Sequence, residues 1–169
     1  MSQPVPSFDE VFRAAVAQHF AFLTVDWQFA FCGASSDDLS HPKDRRTIVR
    51  YRSAQAFVDL VLTYIELGLF VYLWPVPNGA PDGPCWDVRP TNMTNFDHFL
   101  KMQLGDSIPP LFHRLKRPRY LTDMYNEQPA RYAELMASRL PEAIEMTAAR
   151  FATFGREALQ HAIRLQSGR

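Results

Sequence analysis

Residues 56–76, AFVDLVLTYIELGLFVYLWPV, are apolar over a length that matches a membrane span. Asp59 and Glu66 fall inside this stretch. On insertion scales, each charge at mid-bilayer costs about 2.5–3.5 kcal/mol. Glu66-Leu67-Gly68 also divides the stretch into two halves. Two strands joined by a tight turn account for the same residues without burying charge in lipid, with Gly68 free to take positive φ. The expectation is therefore a strand over 56–65, a turn, and a strand over 69–74 ended by Pro75.

The flanking sequence extends this hairpin. Thr47, Val49 and Tyr51 alternate with Ile48, Arg50 and Arg52, which predicts a strand over 46–52 with one wetter face. Trp27-Gln28-Phe29-Ala30-Phe31-Cys32 alternates aromatic and smaller residues and predicts a strand over 27–32, ended by Gly33. Residues 34–44 read as a polar loop. Short links between consecutive strands favour antiparallel neighbours, so a four-stranded meander is expected. Upstream, Ser7 and Glu10 fit a capping box, and apolar residues from Phe8 to Leu23 recur at helical spacing, giving a first helix over about 8–22. Its apolar stripe needs a partner, and one face of the sheet supplies it.

After the meander comes a Pro/Gly-rich loop over 75–92, then a short helix from Asn95 to Leu104 stopped by Gly105. Pro109-Pro110 could open another short turn. From Asn126 the helical pattern returns and runs to Leu165, interrupted by Pro141, with a break expected near 138–141. The fold class is α+β: one domain over 1–169, a four-stranded antiparallel meander packed by an N-terminal helix and a helical C-terminal half.

Composition bounds the function. Eighteen basic and 18 acidic side chains give zero net charge, which argues against a general nucleic-acid binder. The N-terminus has neither the basic nor the apolar region of a secretory signal, and two cysteines are too few for a secreted disulfide framework. A cytoplasmic protein is expected, with no membrane partner. Arginine outnumbers lysine 15 to 3 and alanine is frequent, as in GC-rich bacterial genomes. Charge is segregated: −4 over residues 1–40, +4 over 41–52, −4 over 53–100 and +4 over 101–119.

No catalytic motif stands out. The five histidines show none of the i, i+3 or i, i+4 pairings of a helical metal site, and the acidic loop around His41 matches no calcium loop. Cys32 reads as a small buried core residue, and Cys85 has no evident base. No Walker loop, dinucleotide fingerprint, nucleophile elbow or zinc-protease motif is present. No catalytic residue, metal or cofactor is assigned. The candidate binding residues are Arg114, Lys116, Arg117 and Arg119, in the basic stretch after the middle helix, together with Trp86 in the long loop. Asp26, Arg50, Asp97 and His98 are the polar candidates for an alternative, a pocket between the sheet and the C-terminal helices.

The order of elements carries a resemblance. A leading helix with Phe20-x-Phe22-Leu23 is followed by Trp27-x-Phe29-x-Phe31, Val49-x-Tyr51-x-Ser53, the strand from Phe57 to Ile65, Leu69-x-Val71-x-Leu73 and a largely helical C-terminal half. This resembles small bacterial α+β proteins of the polymorphic-toxin immunity type. The resemblance implies a non-enzymatic module that binds another protein, its toxin, and carries over no catalytic residue. The alternative is a small enzyme or small-ligand-binding protein using the pocket just named.

Overall fold

The computed structural model describes residues 8–37, 46–63, 68–83, 86, 92–106, 129–166 and 168. Helix α1 (Phe8–His19) and a single helical turn α2 (Phe22–Val25) precede four long strands. These are β1 (Ala30–Asp37), β2 (Arg46–Arg52), β3 (Ala56–Thr63) and β4 (Gly68–Pro75). A two-residue strand β5 (Thr94–Asn95) leads into α3 (Phe96–Phe99) and a π-helical turn over Leu100–Leu104. The C-terminal part comprises α4 (Pro129–Glu134), a π-helical turn over Leu135–Arg139 and the long α5 (Leu140–Gln166).

The sheet is an antiparallel meander in the order β1-β2-β3-β4-β5. Among the described residues it has five strands rather than the expected four, because Leu73 and Tyr72 pair with Thr94 and Asn95. Two residues carry no period-two pattern, so this strand leaves no sequence signal. The first strand is also displaced: it spans 30–37 rather than 27–32, and the expected loop from residue 34 begins as strand. Residues 38–45 and 64–67, and with them the tips of the expected loop and hairpin, lie outside the described residues, as does the Ser7 cap.

Alternation sorts the side chains. Val49 and Tyr51 of β2, Ala56, Val58, Leu60 and Leu62 of β3, and Leu69, Val71 and Leu73 of β4 form one core with α1 and α5. Phe151 of α5 is its aromatic hub, with ring centroids 4.9 Å from Phe96, 5.7 Å from Trp27 and 6.0 Å from Phe20. Thr47 ties α1 to the sheet, donating to Asp9 Oδ1 at 2.6 Å, while Asp9 also holds Arg13 at 2.9 Å.

The first helix ends earlier than its apolar spacing suggests. The chain breaks at residues 20–21 and re-forms as α2, which lets Phe20 and Leu23 both reach the core. The expected interruption near 138–141 takes the form of a π-helical turn running directly into α5. Widening the helix just before Pro141 relieves the ring of the clash it makes with a regular preceding turn. Gly105 ends the middle helix at φ 65°, as expected.

Gly155 fixes how α5 meets this core. A Cβ there would lie 2.9 Å from three atoms of the Phe151 ring, which rests on the glycine. An alanine in a helix interior normally gains about 1 kcal/mol over glycine. Here the ring is held by Phe20, Trp27 and Phe96 and has little room to shift. Gly155→Ala is therefore expected to destabilise the protein by about 1 kcal/mol or more, read as a lowered midpoint in urea.

Candidate functional site

The face of the sheet turned away from the helices carries a charged cluster. Arg50 on β2 stands directly opposite Asp59 on β3, and Arg52 opposite Phe57, which in turn faces Trp74 on β4. Arg50 donates from Nε to Asp59 Oδ1 and from Nη2 to Oδ2, both at 2.7 Å, and Trp74 Nε1 donates to the same Oδ2 at 3.1 Å. Arg50 and Asp59 are each only 4% exposed. Phe57 and Trp74 stack with centroids 4.0 Å apart. The Arg50 guanidinium lies 4.5 Å from the Trp86 ring, 4.9 Å from Trp74 and 5.2 Å from Phe57. Arg52 donates to the carbonyls of Pro81 and Gly83, so this part of the chain after β4 lies against the same face.

Both oxygens of the carboxylate are engaged, and guanidinium and carboxylate neutralise one another in a bidentate pair. The cluster is thus a lock between three strands and the long loop, not an acid or base poised for proton transfer. Strand alternation alone hides it. The pairing follows once a two-residue turn at Ala54-Gln55 is placed, since Ser53 then faces Ala56 and that register puts Arg50 opposite Asp59.

Trp86, half-buried, is the aromatic that covers Arg50. Arg114, Lys116, Arg117 and Arg119 lie outside the described residues, as does Cys85. Asp26 is exposed at the end of α2, where its N–H donates to Phe22 O. Asp97 pairs with Lys101 at 2.6 Å, and exposed His98 follows it at the Asn95-capped start of α3. Asp26, Arg50, Asp97 and His98 line neither of the two cavities described next. Among the described residues, no three His, Cys, Asp or Glu side chains converge on a point. No helix among them is long and apolar enough to cross a membrane.

Sequence reading expects a pocket between the sheet and the C-terminal helices, but none of its candidate residues lines either of the two cavities. The first, about 240 Å³, lies between α1 and β1 and is lined by Arg13, Ala17, Phe31, Gly33, Ala34, Val49 and Tyr51. The register shifts between Phe31 and Gly33, so Cys32 sits in a bulge and is half-exposed rather than core. The bulge kinks the strand, and Gly33 takes φ 105°. Phe31 is left 58% exposed, its ring tilted against Tyr51 at 5.6 Å. The second cavity, about 360 Å³, opens at the end of the sheet between the α2–β1 link, the 53–55 turn and α5. There the guanidinium of Arg156 lies 4.7 Å from the Trp27 ring. Gln28 in its wall holds φ 60°, a left-handed conformation costing a non-glycine residue about 1 kcal/mol. The signal that could have found this cavity is on α5, where Arg156, Leu159, Gln160 and Ile163 follow i, i+3, i+4, i+7 spacing. No family model, curated protein or solved structure matches this chain.

Two outcomes follow from these geometries. Asp59→Ala leaves a buried guanidinium without its carboxylate, and is expected to cost about 3–5 kcal/mol in a urea titration, whereas replacing the pair together by Arg50→Met and Asp59→Leu recovers most of that loss. Burial pushes the Tyr51 phenol up from 10.0 to about 12. The fold therefore favours the neutral ring. That contribution, about 2–3 kcal/mol, is whole below pH 10 and is lost as pH climbs from 10 towards 12. Unfolding midpoints across this window should fall less steeply in Tyr51→Phe than in the parent.

Proposed function

We propose that the protein is a cytoplasmic, non-enzymatic module that binds another protein, acting in the manner of an immunity protein that neutralises a partner toxin. The observation that carries this reading is Phe31 on β1. Among the described residues β1 pairs only with β2, so it forms an edge of the sheet. An exposed aromatic beside a small apolar cavity on a sheet edge offers what a partner strand needs: main-chain groups to extend the ladder and an anchor to fix register. The Cys32 bulge bends this edge, a feature that restrains indiscriminate strand addition. Segregated charge supports the same reading. Residues 1–40 carry −4, which favours fast capture of a basic partner surface. The 360 Å³ cavity favours the alternative, a small-ligand binder with its pocket between the sheet and the C-terminal helix.

The test uses the product of the adjacent gene in the source bacterium, co-expressed with the protein. The protein should rescue growth and co-purify with that product, and Phe31→Asp, at a position already more than half exposed, should weaken the complex by at least about 2 kcal/mol while lowering stability in urea by no more than about 1 kcal/mol, the worth of its ring contact with Tyr51. A complex of undiminished affinity in Phe31→Asp rules out the β1 edge as the docking surface. No complex and no rescue rules out the immunity reading.

A further inference from the structure

The cavity at the end of the sheet has the chemistry of a receptor for one carboxylate. Among the described residues, Arg156 is the only charged one in its lining, and no acidic side chain lines it. Among the described residues Arg156 forms no ion pair, and its contact is with the face of Trp27, at 4.7 Å. The ring holds the guanidinium over its π face, and its N–H donors, paired with no described carboxylate, can take a carboxylate ligand. The platform is rigid, because Trp27 is braced by Phe22 at 5.2 Å and Phe151 at 5.7 Å.

Three primary amides, Gln28, Gln55 and Gln160, share the lining, and none has a side-chain hydrogen bond to another described residue. Each can donate and accept, which is what a peptide group requires of its partners. Gln55 is carried on a turn tightened by Ser53 Oγ, which accepts from the amides of Gln55 and Ala56. Gln28 holds its left-handed backbone where glycine is the usual occupant. Phe29, Leu159 and Ile163 complete an apolar wall. A single arginine balances a monoanion and leaves a phosphate dianion short of cations.

We infer that this cavity binds an organic monocarboxylate with an amide-bearing, apolar body: the end of a peptide chain or an N-acyl amino acid. Arg156 takes the carboxylate, the glutamines take the peptide groups, and the apolar wall takes the side chain. The site shares no residue with the Phe31 cavity and does not rest on the docking reading.

The experiment titrates the ¹⁵N-labelled full chain with N-acetyl-leucine and with N-acetyl-leucinamide, following the Trp27 indole N–H and the Arg156 Nε–H. The acid should shift both signals to saturation, and the amide should bind at least about tenfold more weakly, the loss expected of one charge-assisted contact. Arg156→Gln, at an exposed position, should weaken the acid by a similar factor. Gln28→Gly should raise the urea midpoint by removing the left-handed strain, yet weaken binding. An N-acetyl tetrapeptide with a terminal leucine distinguishes the sources. Tighter binding than N-acetyl-leucine identifies a chain end, and equal binding identifies a free small acid. Either result supports the carboxylate site. Equal binding of acid and amide, no shift of Trp27 at about 20 mM ligand, or unchanged acid affinity in Arg156→Gln overturns it.

Discussion

A carboxylate in the middle of a doubly covered strand governs how this sheet is built. From Ala56 to Leu62, β3 is buried at every position, with alternate residues facing the helices and the outer surface. Asp59 falls on the outer side, where isolation from water would be prohibitive for an unpaired charge. Its neighbours on both flanking strands answer it, Arg50 from β2 and Trp74 from β4. Such a pair does little for net stability, since desolvating both ions offsets most of their attraction. Its value is in register. A slip of one residue would turn Asp59 into the aliphatic core under α1 and α5 and leave Arg50 facing apolar side chains. The same face also holds described residues of the chain after β4. Arg52 binds two of its carbonyls, Trp86 covers Arg50, and the outer face gains a roof.

The regular parts of the fold were legible because their pattern is apolar and periodic. The strands around Val49, Leu60 and Val71, and the C-terminal helix, follow their side-chain spacing closely. The misreadings share a physical cause: chain geometry set by partners rather than by local hydrophobicity. Ala34-Ser35-Ser36 has no apolar alternation, yet it is strand because β2 supplies a ladder opposite. Trp27 and Phe29 alternate like a strand, yet they belong to the link after α2, where Phe29 N donates to Leu23 O. Cys32 reads as a core cysteine, and only the register of β1 on β2 reveals the bulge that brings it out. Of the five candidate binding residues, Trp86 alone falls among the described residues, and its contact, with Arg50, is internal. The two cavities join side chains far apart in sequence, from Arg13 to Tyr51 in one and from Trp27 to Ile163 in the other, beyond the reach of local spacing.

Both cavities trace to irregular backbone in one short segment. Had residues 27–37 formed an uninterrupted strand, Trp27, Phe29 and Phe31 would have pointed to one face, and all three would have been core. Two departures prevent this. The left-handed residue at Gln28 turns the chain, so that Trp27 packs on Phe151 and under Arg156 while Phe29 enters the core. The bulge at Cys32 then changes the phase of β1, so that Phe31 pairs with Tyr51 but remains largely in solvent. Backbone strain and bulges weaken a strand, and they persist where surrounding contacts over-determine them. Here the contacts that do so are the Phe22–Trp27–Phe151 stack on one side and the β1–β2 ladder on the other. A pattern that would have spent three aromatics on the core thus divides them: one buried, one platform for a cation, and one exposed at the edge of the sheet.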